Sequence, residues 1–391
     1  MSGFNISIVG AGRVGTALAA LLAQDAGFRV RVLDRSEDAL DGLRHASTPL
    51  ETRLLCHGEE LHTVLAGEDL VVAAVPDSAV AAVAEAARRA RVHYLDFIAT
   101  PAAARQPLEE LAATRAVLPG CGVSPGLAGT LACALLKRYA PVSDLIIRVG
   151  ALPRYPANRL GYGQIWHVDG LIDEYTRPCA ALREGRSTEL SPLEDYERLN
   201  IDGVAFEAFT TSGGLGDLDA VARFSPRSVT FKTLRYPGHL DYMRFLLDDL
   251  GLRQRRDMLK SLLCNGLPVV EDDVLHVMLT VKAMRGRQPV ERTQCLRFGP
   301  PHSHLHAPLH GPAGFGANGG NGGGNGGGAG REAVNALTAT ATAYAATLIS
   351  GLAGGKLAAT GMLDPASLDV DAMLTGPYLA PLLTGSAAAQ Y

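Results

Sequence analysis

At 391 residues, with 47% hydrophobic and 19% charged residues, the chain has material for about two domains and is too apolar to be disordered. A formal net charge of −4, with Lys and Arg scattered, gives no electrostatic basis for a nucleic-acid partner. No uninterrupted apolar run approaches the ~20 residues of a membrane helix, and the first residues lead straight into a strand pattern instead of a signal sequence. A cytoplasmic protein without membrane or nucleic-acid partners is therefore expected. The six cysteines, at 56, 121, 133, 179, 264 and 295, form no CxxC pair and read as reduced, mostly buried thiols.

In chain order, Ile6 to Val9 reads as a strand, Gly12 to Gln24 as a helix, Phe28 to Leu33 as a strand and Glu37 to Leu43 as a helix. Leu70 to Val75 is an apolar run of strand length, as a parallel strand buried on both faces requires. Val80 to Ala90 reads as an Ala-rich helix and Val92 to Phe97 as another strand. This alternation predicts an α/β architecture whose residues 1–125 form a doubly wound parallel sheet. Near Ser124-Pro125-Gly126 the pattern changes. Strand signals at Asp144 to Gly150 and Ser228 to Phe231, separated by long loops, predict a second, α+β substrate domain over 126–310. Residues 311–330 are nearly all Gly, Asn and Ala and read as a flexible insert. Helical signal resumes at Arg331 and runs to about Leu352, and the segment 331–391 is expected to return to the first domain.

Gly10-Ala11-Gly12-Arg13-Val14-Gly15 matches G-x-G-x-x-G where a strand ends and a helix opens, the context that makes this motif informative. Gly10 suits the tight turn, Gly12 the approach of a pyrophosphate, and Gly15 close packing of helix on strand. The helix N-terminus offers N–H groups and positive dipole to phosphates. Asp34 closes the second strand, where a carboxylate hydrogen-bonds the adenine ribose and repels a 2′-phosphate. That favours NAD, with NADP possible because Arg35 follows. Val75, Pro76 and Asp96 close later strands and are expected to line the same crevice. Asp96 also reads as a turn cap. Together these features describe a Rossmann-type dinucleotide-binding domain.

Gly122-Val123-Ser124-Pro125-Gly126-Leu127 resembles the hinge of saccharopine dehydrogenase-like enzymes. Val168-Asp169-Gly170-Leu171-Ile172-Asp173-Glu174-Tyr175 resembles a stretch of the lysine 6-dehydrogenases in that group. So do Phe206-Glu207-Ala208-Phe209-Thr210-Thr211-Ser212-Gly213-Gly214 and Phe231-Lys232-Thr233-Leu234-Arg235-Tyr236-Pro237-Gly238-His239, with Ala339 to Tyr344 near the end. The resemblance departs from the saccharopine reductases at Ser124, where they carry an acid, and at Thr211-Ser212, where they carry Asn-Arg. It implies NAD-dependent oxidation of the terminal amine of L-lysine, or of a related amino acid or amine, to the semialdehyde, which cyclises. The protein is expected to be a homo-oligomer. Two other readings stay open: a reductase that forms a secondary amine, as in saccharopine or carboxynorspermidine synthesis, and a non-catalytic dinucleotide sensor.

Such a reaction needs a neutral amine, hence a proton acceptor, for which His239, Lys232 and Asp96 are candidates. Arg235 suits a substrate carboxylate because its planar fork makes bidentate pairs. Thr210, Thr211 and Ser212 offer hydroxyls, Gly213-Gly214 allows close backbone approach, and Tyr162 and Trp166 are expected to line the pocket or join the core. The histidines 302, 304, 306 and 310 read either as metal ligands on one strand face or as a polar loop, and no metal is assigned.

Overall fold

A computed structural model describes residues 3–44, 50–216, 218–301 and 334–384. The metal-or-loop question at 302–310 and the expected insert at 311–330 lie outside the described residues. The first part of the chain alternates β1 (Phe4–Val9), α1 (Arg13–Leu22), β2 (Phe28–Asp34), α2 (Glu37–Arg44), β3 (Glu51–Leu54), α3 (Leu61–Val64), β4 (Leu70–Ala73), α4 (Asp77–Ala90), β5 (His93–Asp96), α5 (Ala102–Ala112) and β6 (Ala116–Leu118). The strands build a parallel sheet in the order β6-β5-β4-β1-β2-β3. All four residues of β4 are buried, because helices cover the sheet on both sides. β4 ends at Ala73, earlier than the apolar run suggests, and α4 begins at Asp77 directly after Pro76. Pro76 has no N–H to donate and its fixed φ suits the position before a helix. Short β3 and β6 carry too little periodicity to show in the sequence.

The second part comprises α6 (Leu127–Tyr139), β7 (Val142–Pro153), α7 (Val168–Thr176), β8 (Cys179–Arg183), β9 (Arg186–Leu190), β10 (Glu197–Ile201), β11 (Val204–Thr210), α8 (Leu218–Ala222), β12 (Ser228–Arg235), α9 (His239–Arg244), α10 (Arg256–Gly266), β13 (Asp273–Arg285) and β14 (Gln288–Phe298). They form a mixed sheet in the order β10-β11-β12-β7-β13-β14, with the β8–β9 hairpin attached to β12. Only β12 and β7 pair in parallel on the main path. One face of this sheet packs on α6, and a continuous core runs through α6 into the first sheet. A second core lies between the first sheet and α4 and α5.

The chain closes with α11 (Ala336–Ala353), β15 (Gly361–Met362) and α12 (Val370–Leu374). α11 is 18 residues long with mean hydropathy 1.3, enough by length and composition to cross a membrane, yet it is mostly buried here. It packs against α1 of the first domain and against β13 and β14 of the second, so the C-terminal helix returns to the first domain and also binds the other. β15 adds a strand to the edge of the first sheet beside β6, and Leu383 bridges back to Phe298 of β14. No local pattern announces either pairing. Of the six thiols, all free, Cys121, Cys133 and Cys179 are buried, while Cys56 and Cys264 are exposed.

The start of α11 is capped twice. Asn335 Oδ1 accepts from Thr338 N at 2.9 Å, and the carboxylate of Asp273, on β13, accepts from Ala336 N and from Leu337 N at 3.2 Å. Burial pushes the Asp273 carboxyl up to about 6. The folded state then holds a proton that the unfolded chain releases, so this group lowers the unfolding free energy as pH rises from 3.8 to about 6. Asp273→Ala should cost about 1–3 kcal/mol in urea unfolding at neutral pH, because it strands N–H groups at a buried helix end. It should also flatten that acidic slope. An unchanged unfolding midpoint would show that Asp273 does not hold the helix.

Candidate active site between the two sheets

The loop between β1 and α1 is built from glycines for reasons visible atom by atom. Gly10 adopts φ +110, and a Cβ there would lie 2.2 Å from the Ala74 carbonyl oxygen. A Cβ on Gly15 would lie 2.0 Å from the Gly10 oxygen. Gly12 is different: its backbone is extended at φ −76 and ψ −177, and a Cβ there would meet nothing within 4 Å. It caps α1, whose first intrahelical bond is Thr16 N to Gly12 O, so the N–H groups before Thr16 lack helical partners. An open cradle at a helix N-terminus fits a dinucleotide pyrophosphate. Asp34 stands beside it at the end of β2, its Oδ2 accepting from Ala11 N at 2.6 Å and its Oδ1 from Ser36 N at 2.9 Å. Arg35 is exposed, Val14 lies on α1, and Val75 and Pro76 follow β4, with Val75 against Gly10.

Arg13 does not turn toward the cradle. Its Nη1 donates to Ile165 O at 2.8 Å, and Asn335 Nδ2 donates to the same carbonyl at 2.8 Å. Arg13, expected among the cofactor-binding residues of the glycine motif, thus serves in this structure as a tie from the glycine loop to the second domain. Asp96 also departs from expectation as a base. It is fully buried, its Oδ1 accepting from Gly120 N at 2.6 Å and Ile98 N at 3.3 Å, its Oδ2 from Tyr94 OH at 2.8 Å. Burial lifts its carboxyl to about 6. The bond to Gly120 holds the chain between β6 and α6, where it turns from one domain to the other, and the bond to Ile98 holds the turn after β5.

Within β12, Lys232 and Arg235 lie an odd number of residues apart and so project from opposite faces. Lys232 shares its face with Thr210 and Arg148, which are in register with it. Its Nζ donates to Asp195 O at 2.6 Å and lies 3.1 Å from Asp195 Oδ2 and 3.7 Å from Glu197 Oε1. Projecting from the other face of β12 and committed to Asp195 and Glu197, Lys232 is not among the groups beside Arg235 that could take a proton. Thr210 is equally committed: its Oγ1 donates to Ser191 O at 2.8 Å and accepts from Glu194 N at 3.1 Å.

The opposite face carries a compact cluster around Arg235. Nε donates to Tyr175 OH at 2.8 Å, Nη1 to Leu234 O at 2.9 Å and Nη2 to Glu174 Oε2 at 3.2 Å. The guanidinium carbon lies 4.5 Å from the centre of the Tyr162 ring, a cation–π contact in a desolvated setting. Tyr162 OH in turn accepts from Trp166 Nε1 at 3.3 Å. His239 completes the cluster but not as a base. Its Nδ1 donates to Leu160 O at 2.8 Å, and its Nε2 accepts from Tyr175 OH at 2.9 Å, whose oxygen already accepts from Arg235. Burial, then the nearby Arg235, lowers its pKa to about 3, so the ring is neutral and has no free lone pair. His239 positions Tyr175, and Tyr175 positions Arg235. Glu207, in register with Arg235, accepts from Gly238 N and Leu240 N and fixes the start of α9.

Thr211 is buried with its hydroxyl unpartnered, and Ser212 N donates to Glu174 O at 3.0 Å. Gly214 packs on Phe231, where a Cβ would come within 2.1 Å of the ring, and Gly214 O accepts from Ser124 Oγ at 2.7 Å. The close approach at Gly214 is therefore to the protein's own core and hinge, whereas a Cβ on Gly213, at φ +85, would meet nothing within 4 Å. Sequence reasoning missed Glu174 and Tyr175, although both lie in a motif it had singled out. An acid beside a tyrosine on an amphipathic helix reads as surface until Arg235, far along the chain, is brought beside it. Burial outweighs Arg235 and raises the Glu174 carboxyl to about 7, while its side chain keeps 22% exposure and remains reachable.

Gly12→Val tests the cradle directly. The backbone there suits any residue and the space is open, so the melting temperature should stay within a few degrees. Dinucleotide affinity, read by fluorescence titration, should fall on the order of 100-fold through collision with the pyrophosphate. Undiminished binding would place the cofactor elsewhere.

A family profile described as the saccharopine dehydrogenase NADP binding domain matches residues 6–117, and one for the saccharopine dehydrogenase C-terminal domain matches 122–384. Among solved structures, apo saccharopine dehydrogenase (L-Glu forming) from Saccharomyces cerevisiae is similar at 16% identity, over 93% of this chain and 94% of that one, with a TM-score of 0.72. A myo-inositol dehydrogenase from Corynebacterium glutamicum is similar at 12% identity, over 90% and 89%, with a TM-score of only 0.40. The first likeness supports the two-domain fold, and the second is too distant to add to it. The two profiles together with the glycine cradle and Asp34 identify the cofactor as an NAD(P) dinucleotide, and the chain belongs to the saccharopine dehydrogenase family of oxidoreductases, which act on amino acids.

Proposed function

We propose that the protein catalyses NAD-dependent oxidative deamination of the terminal amine of L-lysine or a closely related amino acid. The observation that carries this reading is the buried Arg235, whose two Nη atoms each commit only one of their hydrogens among the described residues. That geometry suits a substrate carboxylate. The short segment from Leu160 to His167 connects the two halves of the site: Tyr162 lies against Arg235, while Ile165 O receives Arg13 from the glycine loop. A carboxylate on Arg235 therefore leaves the far end of an amino acid to extend along this segment toward the cofactor.

The bound dinucleotide supplies a hydride acceptor. The protein holds the substrate so that the carbon next to the terminal amine faces it and limits water around the reacting atoms. The terminal ammonium gives up a proton to water, its carbon gives up hydride to the dinucleotide, and the resulting iminium takes up water to give the aldehyde and ammonium. The semialdehyde then closes on its own α-amine with loss of water to a piperideine carboxylate. Family membership keeps the reductive joining of an amine to a keto acid as a second reading. Assay of NAD(P)H oxidation with an amino acid plus a 2-oxo acid separates it from NAD reduction by lysine alone.

Asp34, at the end of β2 beside the glycine loop, supports NAD as the preferred form, since a carboxylate at that strand end repels a 2′-phosphate. Asp34→Ala should weaken NAD use and narrow the gap between the two cofactors. Better use of NADP than NAD by the wild type would overturn this preference.

Arg235→Lys should lower kcat/KM for L-lysine by roughly 30- to 1,000-fold, because an ammonium cannot replace a bidentate fork. The loss should be much smaller for cadaverine, which has no carboxylate. Equal losses for the two amines would make Arg235 a structural residue and move the carboxylate site elsewhere.

A further inference from the structure

We propose that Glu174 binds the α-ammonium of the substrate beside its α-carboxylate on Arg235, so that the pair selects a zwitterionic α-amino acid and directs oxidation to the other end. This deepens the preceding reading and rests on it. Glu174 Oε2 lies 3.2 Å from Arg235 Nη2, so an anion and a cation stand side by side. An α-amino acid carries the complementary pair on one carbon, and a ligand set against the two side chains places each charge opposite its counterpart. The other oxygen, Oε1, has no partner among the described residues, and the 22% exposure of the side chain leaves it open to a ligand. The neighbours are fixed in advance. Ser212 N holds the Glu174 main chain, and Tyr175, tied to His239, holds the guanidinium from its Nε edge. Fixed partners of this kind reduce the ordering cost of binding.

The electrostatics agree with the geometry. Arg235 alone does not compensate the buried carboxylate, which still titrates near neutrality. A second cation brought to Oε1 would complete the compensation and hold Glu174 ionised. A merely structural counter-ion would instead serve only to neutralise Arg235. The two roles differ in what they discriminate: a counter-ion affects every substrate alike, whereas an ammonium site affects only those with an α-amine.

The test compares L-lysine with ε-aminocaproate, which keeps the carboxylate and the terminal amine but lacks the α-ammonium. Steady-state kinetics with NAD are measured for the wild type and Glu174→Gln, a neutral isostere. The wild type should prefer L-lysine, and the variant should lose on the order of 100-fold in kcat/KM for L-lysine, a loss about tenfold or more greater than the one for ε-aminocaproate, which shares only the disturbance of Arg235. Equal losses for both substrates overturn the assignment. Calorimetric titration of the wild type with each compound gives a readout independent of turnover and of the variant's folding: tighter binding of L-lysine supports the ammonium site, and equal affinities refute it. A wild type that binds L-lysine selectively but oxidises neither compound would sink the deamination reading and leave the binding site standing.

Discussion

A guanidinium cannot shed its charge inside a protein, so burying Arg235 obliges everything around it to compensate. Tyr162 offers a ring face, Tyr175 a hydroxyl, Leu234 a carbonyl and Glu174 a carboxylate. Those groups come from the segment before α7, from α7 itself and from β12, three stretches that also share apolar core residues such as Ile165, Leu171, Ile172 and Phe231. His239, at the start of α9, is drawn in as well, because Tyr175 must donate its proton somewhere once its oxygen accepts from Arg235. A single buried charge thereby organises one end of the second sheet.

Two devices place that cluster relative to the dinucleotide cradle. The first is local: Ile165 O accepts from both Arg13, beside the glycines, and Asn335, at the cap of α11. The second is the packing of α11 against α1 on one side and β13 and β14 on the other. Asp96 secures the crossing point by holding Gly120 N. Arg13, expected to bind cofactor, and Asp96, expected as a candidate base, are instead committed to these structural contacts. The polar face of the same sheet, with Lys232, Arg148, Glu197 and Asp195, is an ion-pair network. Its members satisfy one another, and it stands across the sheet from the Arg235 cluster.

What the sequence determined by itself is local or periodic. Alternating strand and helix signals specified the parallel sheet, because a strand buried on both faces must be apolar throughout. The glycines at 10, 12 and 15 and the acid at 34 specified the cradle, because backbone conformation and close approach depend on the residues at those positions alone. The strand signal at Ser228 to Phe231 stops short of Lys232 and Arg235, and only the observed extent of β12 to Arg235 separates their faces. Only the tertiary structure decided that Glu174 and Tyr175 meet Arg235, that His239 is neutral and doubly bonded, and that β15 joins the edge of the first sheet. Each of those outcomes pairs segments distant in the chain. A side chain's charge state follows from what burial brings against it, and nothing in its sequence neighbours carries that information.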